Sequence, residues 1–165
     1  MASLFRTRRT AGPLLPGEWA RILLVNKDPQ DLAYYREILQ KLGCQIRASS
    51  SFADGVQCLG CEPFDLIILD QGSGRFEGQE VLAHALEVDV ELRVLVLARS
   101  YDSDCHMEAL QSGALEYLEG PLSAEELVAL LDTFMPRRSG ARGASFNRFK
   151  GAKPSKESMS KAKLN

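Results

Sequence analysis

The chain alternates five times between two apolar patterns, and this alternation limits the folds that it can adopt. Short continuous apolar runs, such as Arg21 to Val25 and Phe64 to Leu69, are typical of strands buried on both faces. Segments with helical spacing follow, of which Leu32 to Leu42 is the clearest. Because a crossover between parallel strands needs a helix that lies over the sheet, the alternation predicts an α/β fold. We therefore expect a doubly wound five-stranded parallel sheet with helices on both faces.

The boundaries of these elements follow from local signals. Asp28 before Pro29, and Ser123 before Ala124, are predicted to cap the first and last helices. The predicted strands are residues 21–25, 45–50, 64–69, 94–97 and 115–118, and the predicted helices begin near Pro29, Phe52, Val81, Cys105 and Ala124.

The net charge of -2 hides an uneven distribution of charged residues along the chain. Residues 136–165 carry nine basic side chains against the single acid Glu157, a charge of +8, whereas residues 20–135 carry -12. We predict a flexible N-terminal extension at residues 1–19, one domain at residues 20–135, and a basic disordered tail at residues 136–165. The tail also contains Phe146 and Phe149, so nucleic-acid binding is one alternative, although most such tails are simply solvated.

The sequence contains neither a membrane span nor a secretion signal. No apolar run approaches the roughly 18 residues that a span requires. The first residues are rich in arginine and interrupted by Pro13 and Pro16, unlike the apolar core of a signal peptide. We expect a cytoplasmic protein whose four cysteines are reduced thiols.

Three loops are predicted to meet at one edge of the sheet. In parallel sheets, binding sites form beyond the carboxyl ends of the strands. The segments that follow the first, third and fourth strands are Asn26 to Asp28, Asp70 to Gly78, and Ala98 to Ser100. These loops contain the candidate functional residues.

Several motifs in this order resemble the receiver domain of bacterial two-component response regulators. They are Asp-Leu-Ile-Ile-Leu-Asp70 followed eight residues later by Gly78, Gly113-Ala114 with Tyr117, Leu118 and Pro121, and Ser123-Ala-Glu-Glu-Leu127. The resemblance covers about Ala20 to Phe134. It implies a flavodoxin-like receiver topology, with Asp70 at the phospho-acceptor position and Tyr117 as an aromatic residue that reports the active state.

The resemblance also shows which functional groups have been replaced. Asn26 and Lys27 occupy the positions of the acidic pair that helps to hold magnesium in the family. Ala98 stands where a hydroxyl residue contacts the phosphoryl group, and Gly120 replaces a lysine. We therefore expect no catalytic residue and no cofactor, and the donor set argues against a magnesium site.

Other residues are expected to line the site without a chemical role. Asp28 is interpreted as a helix cap rather than a metal ligand, and Gly72 as part of the loop after Asp70. Arg99 is expected to face solvent. For Lys27, a solvated ammonium and an ion pair with Asp70 are both open.

Three functions remain under consideration. The first is a degenerate receiver, or pseudo-receiver, that acts through protein–protein interaction with a histidine kinase or a downstream effector, or as a homodimer. The second is a working receiver in which Lys27 replaces the charge of the metal during phosphorylation of Asp70. The third, which we favour least, is a nucleic-acid-binding protein that uses the basic tail.

Overall fold

The computed structural model of the protein describes residues 20–135, which form five strands and five helices in strict alternation. The predicted segments 1–19 and 136–165 lie outside the described residues. In chain order the elements are β1 (Arg21–Val25), α1 (Pro29–Lys41), β2 (Gln45–Ser49), α2 (Phe52–Cys61), β3 (Leu66–Asp70), α3 (Gln79–Val88), β4 (Arg93–Ala98), α4 (Ser103–Gln111), β5 (Glu116–Glu119) and α5 (Ala124–Phe134).

All strand pairs are parallel, and the order across the sheet is β2-β1-β3-β4-β5. The chain runs outward from β1 to one edge and then returns to build the other half, so the carboxyl ends of β1 and β3 adjoin where the direction changes. The predicted doubly wound parallel sheet is confirmed.

The core consists of two layers separated by the sheet. On one face α2, α3 and α4 pack against the strands through residues such as Leu59, Leu82 and Ala109, all almost completely buried. On the other face α1 and α5 do so through Leu39 and Leu127. Because both faces are covered, the central strands are apolar on both sides, which explains their continuous apolar runs.

Several predicted boundaries differ from the structure: α3 begins two residues early, at Gln79, and β2, β4 and β5 differ by one residue at one or both ends. Side-chain hydrogen bonds account for two further differences. β3 begins at Leu66 rather than Phe64, because the Asp65 carboxylate accepts a hydrogen bond from the Arg21 amide at 2.8 Å and holds the preceding residues at the start of β1. α4 begins at Ser103, two residues early, because Asp102 caps it by accepting from the Cys105 amide at 2.9 Å. The caps predicted at Asp28 and Ser123 are present.

Candidate functional site

Asp70 is the last residue of β3, and its carboxyl group lies between the loops that follow β1 and β3. The side chain is half-buried, and Oδ2 lies 3.4 Å from the amide nitrogen of Lys27. Burial raises the pKa of Asp70 above its usual value, and the opposing hydrogen bonds from the amides of Gly72 and Lys27 do not cancel this effect. The carboxylate is thus held by backbone amides in a partly desolvated position.

Lys27 points its ammonium group away from Asp70. Nζ lies 3.1 Å from Oε2 of Glu77 and 5.8 Å from the centre of the Phe52 ring. The same Glu77 oxygen accepts from the amide of Ser73 at 3.2 Å, and these contacts, with Lys27 first, hold the pKa of Glu77 below its usual value. The ammonium of Lys27 is therefore paired with Glu77, and the ion pair with Asp70 that we considered is absent among the described residues.

Glu77 also determines why residue 72 is a glycine. Gly72 has a φ of +95°, and a Cβ at this position would overlap the side chain of Glu77. The loop after β3 therefore folds back on Glu77, and Glu77 joins it to Lys27 in the loop after β1.

A second ion pair joins the loop after β4 to the start of α1. The Arg99 guanidinium lies 2.5 Å from Oδ2 of Asp28 and 3.0 Å from Oδ2 of Asp31. Arg99 is exposed, as predicted, but it is not merely solvated. Asp28 also caps α1 by accepting from the amides of Gln30 and Asp31, and its pKa is lowered by these hydrogen bonds and by Arg99.

The groups at the family's magnesium positions do not match the oxygen donors that such a site requires. The side-chain oxygen of Asn26 already accepts from the amide of Asp28 at 2.8 Å, and Asn26 is buried. Lys27 brings a cation, and Asp28 is bound to Arg99. Magnesium is bound in proteins through one or two carboxylates and keeps several waters. Of these four residues, Asp70 is the one carboxylate that is not paired with a cation, and the ammonium of Lys27 brings a charge of the same sign as the metal. No group of three or more acidic, cysteine or histidine residues suitable for a metal occurs within residues 20–135.

The positions of the missing hydroxyl and lysine are filled by packing. Ala98 is buried, and its carbonyl accepts from the amide of Gly120 at 2.7 Å. A Cβ on Gly120 would lie 2.9 Å from the hydroxyl of Tyr35, which accepts from the amide of Leu122 at 3.0 Å. The Tyr35 hydroxyl therefore occupies the space that the first atoms of a side chain at residue 120 would need.

Tyr117 points inward and is fully buried. Its hydroxyl donates a short hydrogen bond to Oε1 of the buried Gln71 and accepts from the amide of Asp102 at 3.3 Å. The His106 ring stacks on it with centroids 5.0 Å apart, and Tyr101 reaches Nδ1 of His106 at 2.9 Å. Burial raises the pKa of Tyr117 to about 12, so the phenol stays neutral and its hydroxyl remains a donor.

Sequence reasoning missed four residues that shape this site, namely Asp31, Tyr35, Gln71 and Glu77. Gln71 and Glu77 stand in the loop after Asp70, so their position in the sequence indicated that they lie near the site. Their hydrogen-bond and ion-pair partners are distant in sequence and were not indicated. Tyr35 lies on the apolar stripe of α1 and was interpreted only as a core residue. The structure places the predicted residues Asn26, Lys27, Asp28, Gly72 and Arg99 on the segments around Asp70, and Ala98 and Gly120 on the segments that follow β4 and β5.

Three comparisons with known proteins agree with this architecture. The family model described as "Response regulator receiver domain" matches residues 22–132. The chain is 32% identical over 107 residues to the alginate biosynthesis transcriptional regulatory protein AlgB of Pseudomonas aeruginosa, covering 65% of this chain and 24% of AlgB. It is 30% identical over 120 residues to the transcriptional regulatory protein KdpE of Mycobacterium tuberculosis, covering 73% of this chain and 53% of KdpE.

Solved structures of receiver domains share the fold. The beryllofluoride-activated receiver domain of DrrB superposes with a TM-score of 0.63 at 25% identity, covering 72% of this chain and 98% of that domain. A receiver domain protein from Clostridium thermocellum gives a TM-score of 0.63 at 23% identity, covering 80% and 98%. The chain thus spans about a quarter to a half of the curated relatives named here, but nearly the whole of these receiver domains. No helix within residues 20–135 is long and apolar enough to cross a bilayer.

Proposed function

Because the chain belongs to the response regulator receiver family of two-component signalling, we propose that it is a pseudo-receiver that acts by binding other proteins without magnesium-dependent phosphorylation of Asp70. Its partners are a histidine kinase or a downstream effector. The Asp70 position is retained, whereas the chemistry that would make it an acceptor is not.

The observation that carries this proposal is the pairing of the carboxylates next to Asp70. Asp28 and Asp31 are bound to Arg99, and Glu77 is bound to Lys27. Phosphoryl transfer depends on positioning and on neutralisation of the oxygens of the transferred group. Here the cations of Arg99 and Lys27 are bound to protein carboxylates. They are therefore not positioned to neutralise the oxygens of a phosphoryl group at Asp70.

The inward Tyr117 supports a binding role. Its hydroxyl is held by Gln71 and by the Asp102 amide, neither of which depends on a phosphoryl group. These hydrogen bonds hold the segment between β4 and α4 to the inward Tyr117 without a phosphoryl group, which suits a surface that is recognised without a phosphorylation switch.

Intact-mass analysis after incubation with acetyl phosphate and magnesium tests the proposal. We expect no phosphoryl adduct on the wild-type chain. The control is the variant Asn26→Asp, Lys27→Asp, Ala98→Thr, which returns carboxylates and a hydroxyl to the site, and which should gain an adduct that requires magnesium. Gly120 is left unchanged because a side chain there would meet Tyr35.

The outcomes separate the alternatives. A rapid magnesium-dependent adduct on wild-type Asp70 would show a working receiver and refute the proposal. An adduct that forms on wild-type Asp70 without magnesium would instead support metal-independent chemistry.

A further inference from the structure

The face formed by α4, β5 and α5 has an unusual charge. Residues 100–135 contain no lysine or arginine and the following eight carboxylates: Asp102, Asp104, Glu108, Glu116, Glu119, Glu125, Glu126 and Asp132. This stretch therefore contributes -8, while residues 20–99 contribute only -4. We call the surface of residues 101–135 the acidic face.

The acidic face also exposes apolar side chains. Met107 on α4 is 55% exposed, and Leu115, just before β5, is 44% exposed. Tyr101 and Leu110 are also large exposed residues of this region. Of the carboxylates, Asp102 and Glu126 cap helices, and Glu108 borders a hollow next to Lys27 and Arg75. A partner is therefore expected to contact mainly the other carboxylates of the acidic face. A surface that combines carboxylates with exposed apolar groups fits a segment that is both basic and partly apolar.

The chain itself contains such a segment directly after α5. Residues 136–165 carry +8, which equals the charge of the acidic face with opposite sign. Phe146 and Phe149 stand among its basic residues, with Arg148 and Lys150 beside them. Charge and apolar character are therefore both complementary.

The geometry allows the two to meet. α5 returns antiparallel to the strands, so Met135 lies toward the end of the sheet at which β5 begins and at which Leu115 lies. Phe146 is eleven residues beyond Met135, a span of up to about 36 Å in an extended chain. α4 has nine residues and is about 14 Å long, so the whole face is within reach.

We propose that residues 136–165 dock on the acidic face of the same chain, with the basic side chains on its carboxylates and Phe146 and Phe149 on the exposed apolar residues. Covalent attachment gives the segment an effective concentration on the order of millimolar. A second copy of the acidic face is disfavoured as occupant because its charge has the same sign, and nucleic acid is disfavoured for the same reason.

Photo-crosslinking from the tail tests this inference on the full chain. A benzophenone amino acid replaces Phe146, and crosslinked peptides are identified at low protein concentration. We expect intrachain crosslinks to residues 101–119. Their yield should fall more than about threefold between 0.1 M and 1 M salt, since the screening length shortens from about 10 Å to about 3 Å.

Two matched variants locate the docking surface. Asp104→Asn, Glu116→Gln, Glu119→Gln removes three charges from the acidic face and should abolish most of the crosslinking. Asp54→Asn, Glu80→Gln, Glu87→Gln removes three charges from α2 and α3 and should leave it intact. Equal effects of the two variants, crosslinks between chains, salt-independent crosslinks, or an absence of crosslinks to residues 101–119 would each overturn the inference. The salt dependence of crosslinking in the chain without charge substitutions tests the inference even where a charge variant folds poorly.

Discussion

At the scale of single residues, Asp70 is held in a position that does not favour its charge. The carboxyl is half-buried, and the cations of Lys27 and Arg99 are paired with other carboxylates, so that Arg99 lowers the pKa of Asp70 only as a minor effect. Burial is the largest influence on its pKa, which is raised. In this environment the ionised carboxylate of Asp70 does not stabilise the folded protein.

Asp70→Asn is therefore expected to stabilise the protein at neutral pH. Because the pKa of Asp70 is raised in the folded state, its contribution favours folding below the unfolded pKa and is lost as the pH rises through the folded pKa. The variant removes the ionised carboxylate, so its urea midpoint should exceed that of the wild type at pH 7, and the gain should shrink as the pH approaches 4. A lower midpoint at pH 7 would show that the charge is compensated.

The stability of the protein is also expected to depend on the close approach of Gly120 to the hydroxyl of Tyr35. Gly120→Ala should cost about 1–3 kcal/mol because its Cβ would lie 2.9 Å from the Tyr35 hydroxyl. The cost should be clearly smaller in a Tyr35→Phe background, where the oxygen is absent. Chemical denaturation of the four variants of this cycle measures the difference, and equal costs in both backgrounds would exclude the steric explanation.

At the scale of elements, three ion pairs join the segments that surround Asp70. Lys27 and Glu77 connect the loops after β1 and β3, and Arg99 connects the loop after β4 to α1. Such surface pairs contribute little to global stability, but they fix the geometry of loops. The effect of removing such an ion pair is therefore best measured on the amides of the loops that it joins.

Lys27→Met should loosen the loop after β3. Ser73 bonds to the Glu77 carboxylate that Lys27 holds, so its amide should exchange with solvent faster by a factor of about two to five. Hydrogen exchange monitored by NMR measures this rate. The double variant Lys27→Glu, Glu77→Lys restores the opposite charges but displaces the carboxylate, so Ser73 should stay exposed to exchange. Wild-type protection in Lys27→Met would refute the proposed connection.

Gln71 should prove necessary for the inward position of Tyr117. Gln71→Leu leaves the buried phenol without its acceptor and should destabilise the protein by about 1–3 kcal/mol. Adding Tyr117→Phe removes the unsatisfied hydroxyl and should recover part of this loss. Thermal unfolding of the single and double variants is the measurement, and additive losses would contradict the coupling.

These elements also show what the sequence could predict. The caps at Asp28 and Ser123 and the apolar run within β3 are local patterns, so the sequence indicated them. The start of β3 depends instead on the contact between Asp65 and Arg21, which are 44 residues apart. Lys27 and Glu77 are 50 residues apart, and Tyr117 and Gln71 are 46 apart. Several carboxylates are available to the ammonium of Lys27, and its partner is determined by where the fold places their side chains. A single sequence does not contain the distances between those side chains.

At the scale of the whole molecule, the receiver fold is intact, and the proposed loss of phosphorylation chemistry concerns only the side chains around Asp70. Both core layers are closed around the five-stranded sheet, and the chain shares this architecture with receiver domains of known structure. The fold places Asp70 at the carboxyl end of β3, and the side chains around it determine what this carboxyl group can do. A pseudo-receiver is the outcome that these side chains support.

Amide NMR with beryllofluoride, a mimic of the phosphoryl group, tests this claim most directly. Spectra of the chain are recorded with beryllofluoride, with magnesium, and with both together. We predict no saturable shift of the amides of Asp70, Gly72 and Lys27 at millimolar magnesium, whereas the variant Asn26→Asp, Lys27→Asp, Ala98→Thr should show one. Saturable, magnesium-dependent shifts of these amides in the wild-type chain would contradict the account.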